Sequence, residues 1–303
     1  MKIDVTAIGA ALVDLVAVVE RFPEIDDEVY VPKLQMKSGG SAANFAVACA
    51  KLGLKSAFIG KLGQDAFGEK LIQDFKNEKV NVDGIVFTDK IGTGVCYAAV
   101  SGADRILYAF SGAANILEPK DIKKEIISAS RIIHLASLKN ISPLEKAAEI
   151  AKNLQTKVSL NPGALIADQG LKKIEHLISL TNIYISPQDE LIKIMEVKSL
   201  EDALENLFDI GPKIAAITLG SKGAIVSNKK NKFRISPYDV KPLDTTGAGD
   251  AFSAGFISGI LNNQNLEVCG KMGNATAAIK IQHIGAREGL PTKEALNKFI
   301  HSH

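Results

Sequence analysis

The stretch Leu243-Asp244-Thr245-Thr246-Gly247-Ala248-Gly249-Asp250-Ala251-Phe252-Ser253-Ala254-Gly255 sets two glycines and a carboxylate at the start of a helical pattern. Ala251, Phe252, Ala254, Phe256, Ile257 and Ile260 continue it with small and apolar residues at helical spacing, so Gly247-Ala248-Gly249 is expected to be the helix entrance. The unpaired N–H groups of a first helical turn, with the positive end of the helix dipole, form an anion site. Asp250 falls in the same turn and brings a carboxylate to where the anion would lie. That combination suits phosphoryl transfer, in which donors neutralise the moving phosphate and an acid orients the attacking hydroxyl. Taken alone, the stretch reads equally as an ordinary turn with Asp244 or Thr246 capping an ordinary helix.

A second stretch, Ser38-Gly39-Gly40-Ser41-Ala42-Ala43-Asn44, leads into a helical run from Phe45 to Leu52 that Gly53 ends. The two stretches, in this order and near opposite ends of the chain, resemble the two signatures of the PfkB/ribokinase family of sugar and nucleoside kinases. The Gly60-x-x-Gly63-x-Asp65-x-x-Gly68 pattern is also similar to that family and reads as architecture rather than chemistry. The resemblance implies a ribokinase-like α/β fold: three layers, αβα, with a mostly parallel central sheet and a small β-sheet lid. It implies ATP-dependent phosphorylation of a primary hydroxyl of a sugar. Asp14 follows the buried-strand run Ile3–Gly9, at the carboxyl end, where open α/β sheets bind ligands; from the residues alone it is equally a surface carboxylate. The resemblance assigns Asp14, Asn44 and the backbone of Gly39 and Gly40 to the substrate. It assigns Gly247, Ala248 and Gly249 to the transferring phosphate and Asp250 to catalysis. At a helix N-terminus, the pKa of Asp250 is expected to be lowered.

No GxxxxGK[ST] loop is present and no GxGxxG follows the first strand, which excludes P-loop enzymes and dinucleotide binders of the usual type. Thr218-Leu219-Gly220-Ser221-Lys222-Gly223 matches the family's loop along the ATP phosphates and ribose, which would make Thr218, Gly220 and Gly223 nucleotide-binding; as a bare motif it is also a simple hairpin turn. Asn274 matches the position beside adenine. Where the family shows Asn-x-x-Glu, this chain reads Pro187-Gln188-Asp189-Glu190. Glu190 then aligns with the family's magnesium ligand, acting through water, and Gln188 substitutes for the Asn one residue out of register. Asn161 is a further polar candidate at a strand end. Magnesium is expected because the β- and γ-phosphate charges must be bridged. Asp244, Thr246 and the Gly285-Ala286 loop match positions that hold a monovalent cation, commonly potassium, in many members.

The elements that must position these groups read as follows. From about residue 120, apolar strand runs alternate with helical ones, which argues for a parallel sheet covered on both faces. Residues 15–37 and 91–112 read instead as strand pairs, with strand-like Val16–Glu20 and Val29–Pro32 and a hairpin across Ser101–Arg105. They are expected to form the lid, and residues 1–14, 38–90 and 113–303 the nucleotide-binding domain. A closing lid would exclude water that competes with the substrate hydroxyl. Its open edges suit pairing of two chains into a homodimer. Aromatic lid residues Tyr97, Tyr108 and Phe110 would favour a nucleoside acceptor if they face the site, so a nucleoside kinase is the alternative. A sugar-phosphate kinase is a further one, with Arg105 as a candidate phosphate contact or a plain turn-tip arginine, and a non-catalytic sugar-binding protein is the last. The chain has 303 residues, 46% hydrophobic and 23% charged, with a formal net charge of +2 and scattered basic residues. That gives no nucleic-acid or membrane surface. Three distant cysteines and five histidines without metal spacing exclude a disulfide framework and a zinc site. No run approaches the roughly 18 apolar residues of a membrane span, and the start lacks a signal pattern. A cytoplasmic soluble protein is expected.

Overall fold

β1 (Ile3–Ile8) is buried along nearly its whole length, which is why its sequence is a continuous apolar run and not an alternation. The computed structural model describes residues 2–102 and 104–303, and the Arg105 side chain lies outside the described residues. After β1 come β2 (Leu12–Val18), β3 (Lys33–Gly39), α1 (Ser41–Lys51), β4 (Ser56–Gly63), α2 (Ala66–Asn77), β5 (Asn81–Thr88), β6 (Gly94–Ser101) and β7 (Asp104–Phe110). The alternating half follows: α3 (Lys124–Ala129), β8 (Ser130–Ala136), α4 (Ser142–Asn153), β9 (Lys157–Asn161), α5 (Gly163–Ala167), α6 (Leu171–Ser179), β10 (Ile183–Pro187), α7 (Gln188–Met195), α8 (Leu200–Ile210) and β11 (Ile214–Thr218). The chain closes with β12 (Ala224–Ser227), β13 (Lys232–Ile235), α9 (Ala248–Leu261), α10 (Leu266–Lys280) and α11 (Lys293–Ser302).

Among the described residues, the central sheet runs β13-β12-β11-β10-β9-β8-β1-β4-β5. It is parallel from β11 to β5, and β12 and β13 add an antiparallel edge. Successive residues of a strand serve opposite layers. Tyr184 of β10 packs in the cluster with Leu144, Ile174 and Leu191 of α4, α6 and α7, while its neighbours Ile183 and Ile185 join Phe45 and Phe256 of α1 and α9. Three layers result, as expected from the alternation. Each fully buried large side chain in them contributes about 1.5–3 kcal/mol. Beneath α1, the His134 ring stacks on Phe45 with centroids 3.8 Å apart. Burial pushes its pKa down to about 3, so it is a neutral core residue.

The second sheet is separate, in the order β3-β2-β6-β7. Its strands do not keep to the expected 15–37 and 91–112. The ladder starts at Leu12↔Gly39 and includes Asp14↔Lys37, so Asp14, Ser38 and Gly39 belong to the lid sheet itself. Val29–Pro32, expected as strand, lies outside it: Val18, the last residue of β2, pairs with Lys33, and Tyr30 is left 82% exposed. α2 starts at Ala66, inside the Gly63–Gly68 pattern, because the Asp65 side chain caps it by accepting from Gly68 N–H at 2.8 Å. α1 likewise starts at Ser41, which moves Asn44 into a first helical turn.

Candidate active site

The entrance to α9 depends on Gly247. Its φ is +78°, and a Cβ there would lie 2.6 Å from the Ala286 carbonyl oxygen, so a side chain is excluded on both conformational and steric grounds. Of the three donors expected for the anion hole, Ala248 N–H closes the turn on Thr245 O at 3.1 Å. The N–H groups of Gly247 and Gly249 have no hydrogen-bond partner among the described residues. One helical step further, Asp250 meets the first turn of α1. Its Oδ1 accepts from Ser41 Oγ at 2.6 Å and its Oδ2 from Asn44 Nδ2 at 2.9 Å. The expected lowering of its pKa does not occur. Burial raises it to about 6, although the hydrogen bonds from Ser41 and Asn44 and the charges of Arg287 and Lys280 pull the other way. Desolvation of the carboxylate outweighs the helix terminus, and the group is still ionised at neutral pH.

Arg287 organises the other side of this network. Its Nε donates to Asn44 Oδ1 at 3.0 Å and its Nη2 to Gly39 O at 3.2 Å, and the guanidinium lies over the Phe75 ring, 5.5 Å from the centroid. With Oδ1 engaged by an obligate donor, Asn44 must present its NH₂ to Asp250. Burial lowers the Arg287 pKa to about 10, against the pull of Asp74, Asp14, Glu78 and Asp250, so it stays charged. Asp14, on β2, packs against Gly39 so closely that a Cβ at Gly39 would collide with its carboxylate. Burial raises the Asp14 pKa to about 6, with Arg287 and Lys37 opposing and Glu288 adding to the rise. Asp14, Gly39, Asn44 and Asp250 are thus one cluster spanning the lid sheet, α1 and α9. Gly40 is the residue before α1.

The candidates for the nucleotide side lie at the carboxyl ends of neighbouring strands. Pro187 pairs with Thr218, which sets Gln188, the first residue of α7, beside the Thr218–Gly223 loop. Gly220 has open space around it, whereas Gly223 abuts the backbone of Ile235 and Ser236. Asn161 Nδ2 reaches Ser253 Oγ of α9 at 3.4 Å. Asn274 is buried, and its NH₂ is committed to Ile235 O and Ser236 O at 3.3 and 2.9 Å; it ties α10 to the end of β13. Glu190 Oε2 is buried without a hydrogen-bond partner. Burial raises the pKa of this carboxyl, Asp168 adding to the effect and Lys193 opposing it. An unsatisfied buried oxygen of this kind fits a magnesium-bound water. Among the described residues no group of three or more His, Cys, Asp or Glu side chains converges on a metal position, so the ion would depend on nucleotide phosphates for most of its ligands.

Residues 2–293 match the pfkB family carbohydrate kinase pattern. This chain belongs to the pfkB family. An uncharacterised sugar kinase of Archaeoglobus fulgidus is 33% identical to the kinase over 246 residues, which cover 80% of this chain and 97% of that one. A ribokinase of Haemophilus influenzae is 29% identical over 310 residues, 99% of each chain. The solved structure of a Thermotoga maritima ribokinase superposes with a TM-score of 0.88 at 25% identity, and 99% of each chain is covered. The protein is therefore an ATP-dependent carbohydrate kinase, and its fold is the three-layer fold with a small sheet that the family resemblance implied.

Three residues of the kinase's site were missed by sequence reasoning. Ser41 stands at the variable position of the Gly39-Gly40-x-Ala42-Ala43-Asn44 motif. Arg287 directly follows the Gly285-Ala286 loop, the one signal that could have drawn attention to it. Lys280 carried none: it is the last residue of a helix, yet its Nζ donates to Asp244 O at 2.9 Å. The expected monovalent-cation residues do come together, but they are bonded to one another. Asp244 Oδ1 accepts from Thr246 N–H and Oγ1–H at 2.9 and 2.7 Å, and Oδ2 accepts from Gly285 N–H at 2.7 Å. Both carboxylate oxygens of Asp244 are thus already met by donors from within this cluster.

Proposed function

We propose that this kinase phosphorylates the primary hydroxyl of a free, ribose-like sugar with ATP as donor. The observation that carries the reading is the Asp250 carboxylate, held by Ser41 and Asn44 beside the two free N–H groups at the entrance to α9. Asp14, with Asn44 and the backbone of Gly39 and Gly40, binds the sugar hydroxyls. Asp250 orients the primary hydroxyl and takes its proton as the oxygen bonds to the γ-phosphorus. The bond to the β,γ-bridging oxygen breaks, ADP leaves, and Asp250 returns the proton to solvent. Gly247 and Gly249 N–H groups stabilise the transferring phosphoryl oxygens. Gln188, Thr218, Gly220 and Gly223 border the nucleotide. Magnesium, held by the nucleotide phosphates and through water by Glu190, would supply neutralising charge on the phosphates.

A sugar is favoured over a nucleoside by the register of the lid. Asp14 is level with Cys96, and Cys96 with Ala109, so these three share one face. Tyr97 is level with Tyr108, and Val95 with Phe110, on the other. The lid aromatics therefore face away from Asp14 and are not placed to stack on a base next to it. A phosphorylated sugar is also poorly served, because Lys37 is engaged by Ile284 O and Glu288 and Arg287 by Asn44 and Gly39. The face opposite Asp14 leaves Leu34 61%, Tyr108 66% and Phe110 50% exposed, which suits the lid-to-lid pairing of a homodimer. Buried, unpaired Cys49 and Cys269 fit a reducing, cytoplasmic setting. The test is ATP consumption against ribose, other free sugars, nucleosides and sugar phosphates. Turnover on free sugars is expected; turnover confined to nucleosides or to sugar phosphates would replace the proposal.

A further inference from the structure

Lys280 is the last residue of α10 and is fully buried, a rare position for a lysine unless its charge has a use. The charged groups around it are Asp244, Glu288, Lys37 and Asp250. Its ammonium donates to the carbonyl of Asp244, in the turn that leads directly into Gly247. That turn is gripped from several sides. Leu243 N–H and Asp244 N–H both donate to Ile281 O, at 2.7 and 3.1 Å. The Asp244 carboxylate is taken up by Thr246 and Gly285, and the Ala286 carbonyl packs against Gly247. An alkali cation at this place would need several oxygens turned toward it. Here the Asp244 oxygens are already met by N–H, O–H and ammonium donors, and a fixed positive charge in a buried setting repels a second one.

We propose that the Lys280 ammonium is a built-in monovalent cation, which orders the Asp244–Gly247 turn behind the anion hole and makes the kinase independent of potassium. The assignment rests on the kinase reading of the site. It makes Lys280 a positioning residue: its charge offsets the Asp244 carboxylate, and its bond to the Asp244 carbonyl holds the turn so that the Gly247 and Gly249 N–H groups face the phosphate.

The test compares potassium chloride with tetramethylammonium chloride at constant ionic strength, for the wild type and for Lys280→Met, which keeps an apolar stem of similar reach and removes the ammonium group. Wild-type turnover is expected to agree within about twofold in the two salts, and its melting temperature to be the same in both. Lys280→Met is expected to lose about tenfold in tetramethylammonium, a fraction of the cost of deleting an anion-hole donor outright, and to recover in potassium as the ion enters the vacated volume. A potassium-specific activation of the wild type, or a saturable potassium-specific rise in its melting temperature, would overturn the assignment. So would a Lys280→Met enzyme that matches wild type in both salts, or one whose loss potassium does not restore. The melting measurement needs no acceptor, so it decides the matter even if the variant does not fold. Absence of ATP turnover by the wild type in every salt would count against the kinase reading and leave the melting result to judge Lys280.

Discussion

Ser41→Ala removes one of the two side-chain hydrogen bonds on Asp250 and, among the hydrogen bonds described, the only one made by Ser41 Oγ. The hydroxyl favours the ionised carboxylate, as do Asn44, Arg287 and Lys280, all of them working against burial. A hydrogen bond to a charged group contributes about 1.5–3 kcal/mol. Asp250 retains some solvent contact, so water recovers part of that, and a remainder of about 1.4 kcal/mol corresponds to one pH unit. The acid limb of kcat/KM, which should centre near the Asp250 pKa of about 6 in the wild type, is expected to move up by roughly one unit. At pH 6 the variant would then be about fivefold slower than wild type, and above pH 8 the two would agree within about twofold. The assay is a coupled measurement of ADP release between pH 5 and 9 with the preferred acceptor. Superimposable profiles, a downward move of the limb, or a uniform drop at every pH would each refute the idea that Ser41 keeps Asp250 ionised.

Asp250→Asn should lower turnover by at least about two orders of magnitude while ATP affinity, read by calorimetry, changes little; near-normal turnover would remove Asp250 from catalysis. Arg287→Met frees the Asn44 amide and takes a positive charge from beside both Asp14 and Asp250, so acceptor KM should rise and kcat fall by about tenfold, with the acid limb displaced upward. Arg287→Lys, which keeps the charge but loses the fork, should restore the position of the limb without restoring KM; an Arg287→Lys enzyme no different from Arg287→Met would count against a role for the positive charge. Asp65 caps α2 and also accepts from Thr93 N–H and Oγ1–H at 2.7 and 2.8 Å, so Asp65→Ala should cost about 2–3 kcal/mol in urea denaturation, and a loss under about 0.5 kcal/mol would be too small for that role. Burial works against ionisation of Asp65, but the bonds from Thr93 and Gly68 prevail and lower its pKa. Its contribution is therefore complete above the ordinary carboxylate pKa and disappears as pH falls through the lowered one, which the same denaturation series at acid pH would record.

What could be read from the sequence was what lies within a few residues along the chain. A helix entrance with free N–H groups and a carboxylate in its first turn is built from consecutive residues, so Gly247, Gly249 and Asp250 were legible from spacing. Periodicity likewise gave the parallel sheet and its covering helices, because each strand's burial is written in its own residues. Local reasoning failed where the outcome depended on pairing. Lys33, not Val29, begins the second lid strand because Val18 is its ladder partner. The face taken by Tyr97 and Tyr108 followed only from their register with Asp14's strand.

The functional details that decide chemistry were tertiary. The sign of the Asp250 pKa displacement came from the protein packed around it by α1, where the helix terminus alone argued the opposite. Ser41 and Asp250 are 209 positions apart, and Arg287 reaches Asn44 across 243, so no motif could carry the partnership. Lys280 gains a partner only because the fold buries it against Asp244. Backbone conformation and helix-end chemistry are set by neighbours in sequence, and the sequence alone determined them. Desolvation, charge pairing and the choice of which amide faces which carboxylate are set by neighbours in space, and those only the folded chain decided.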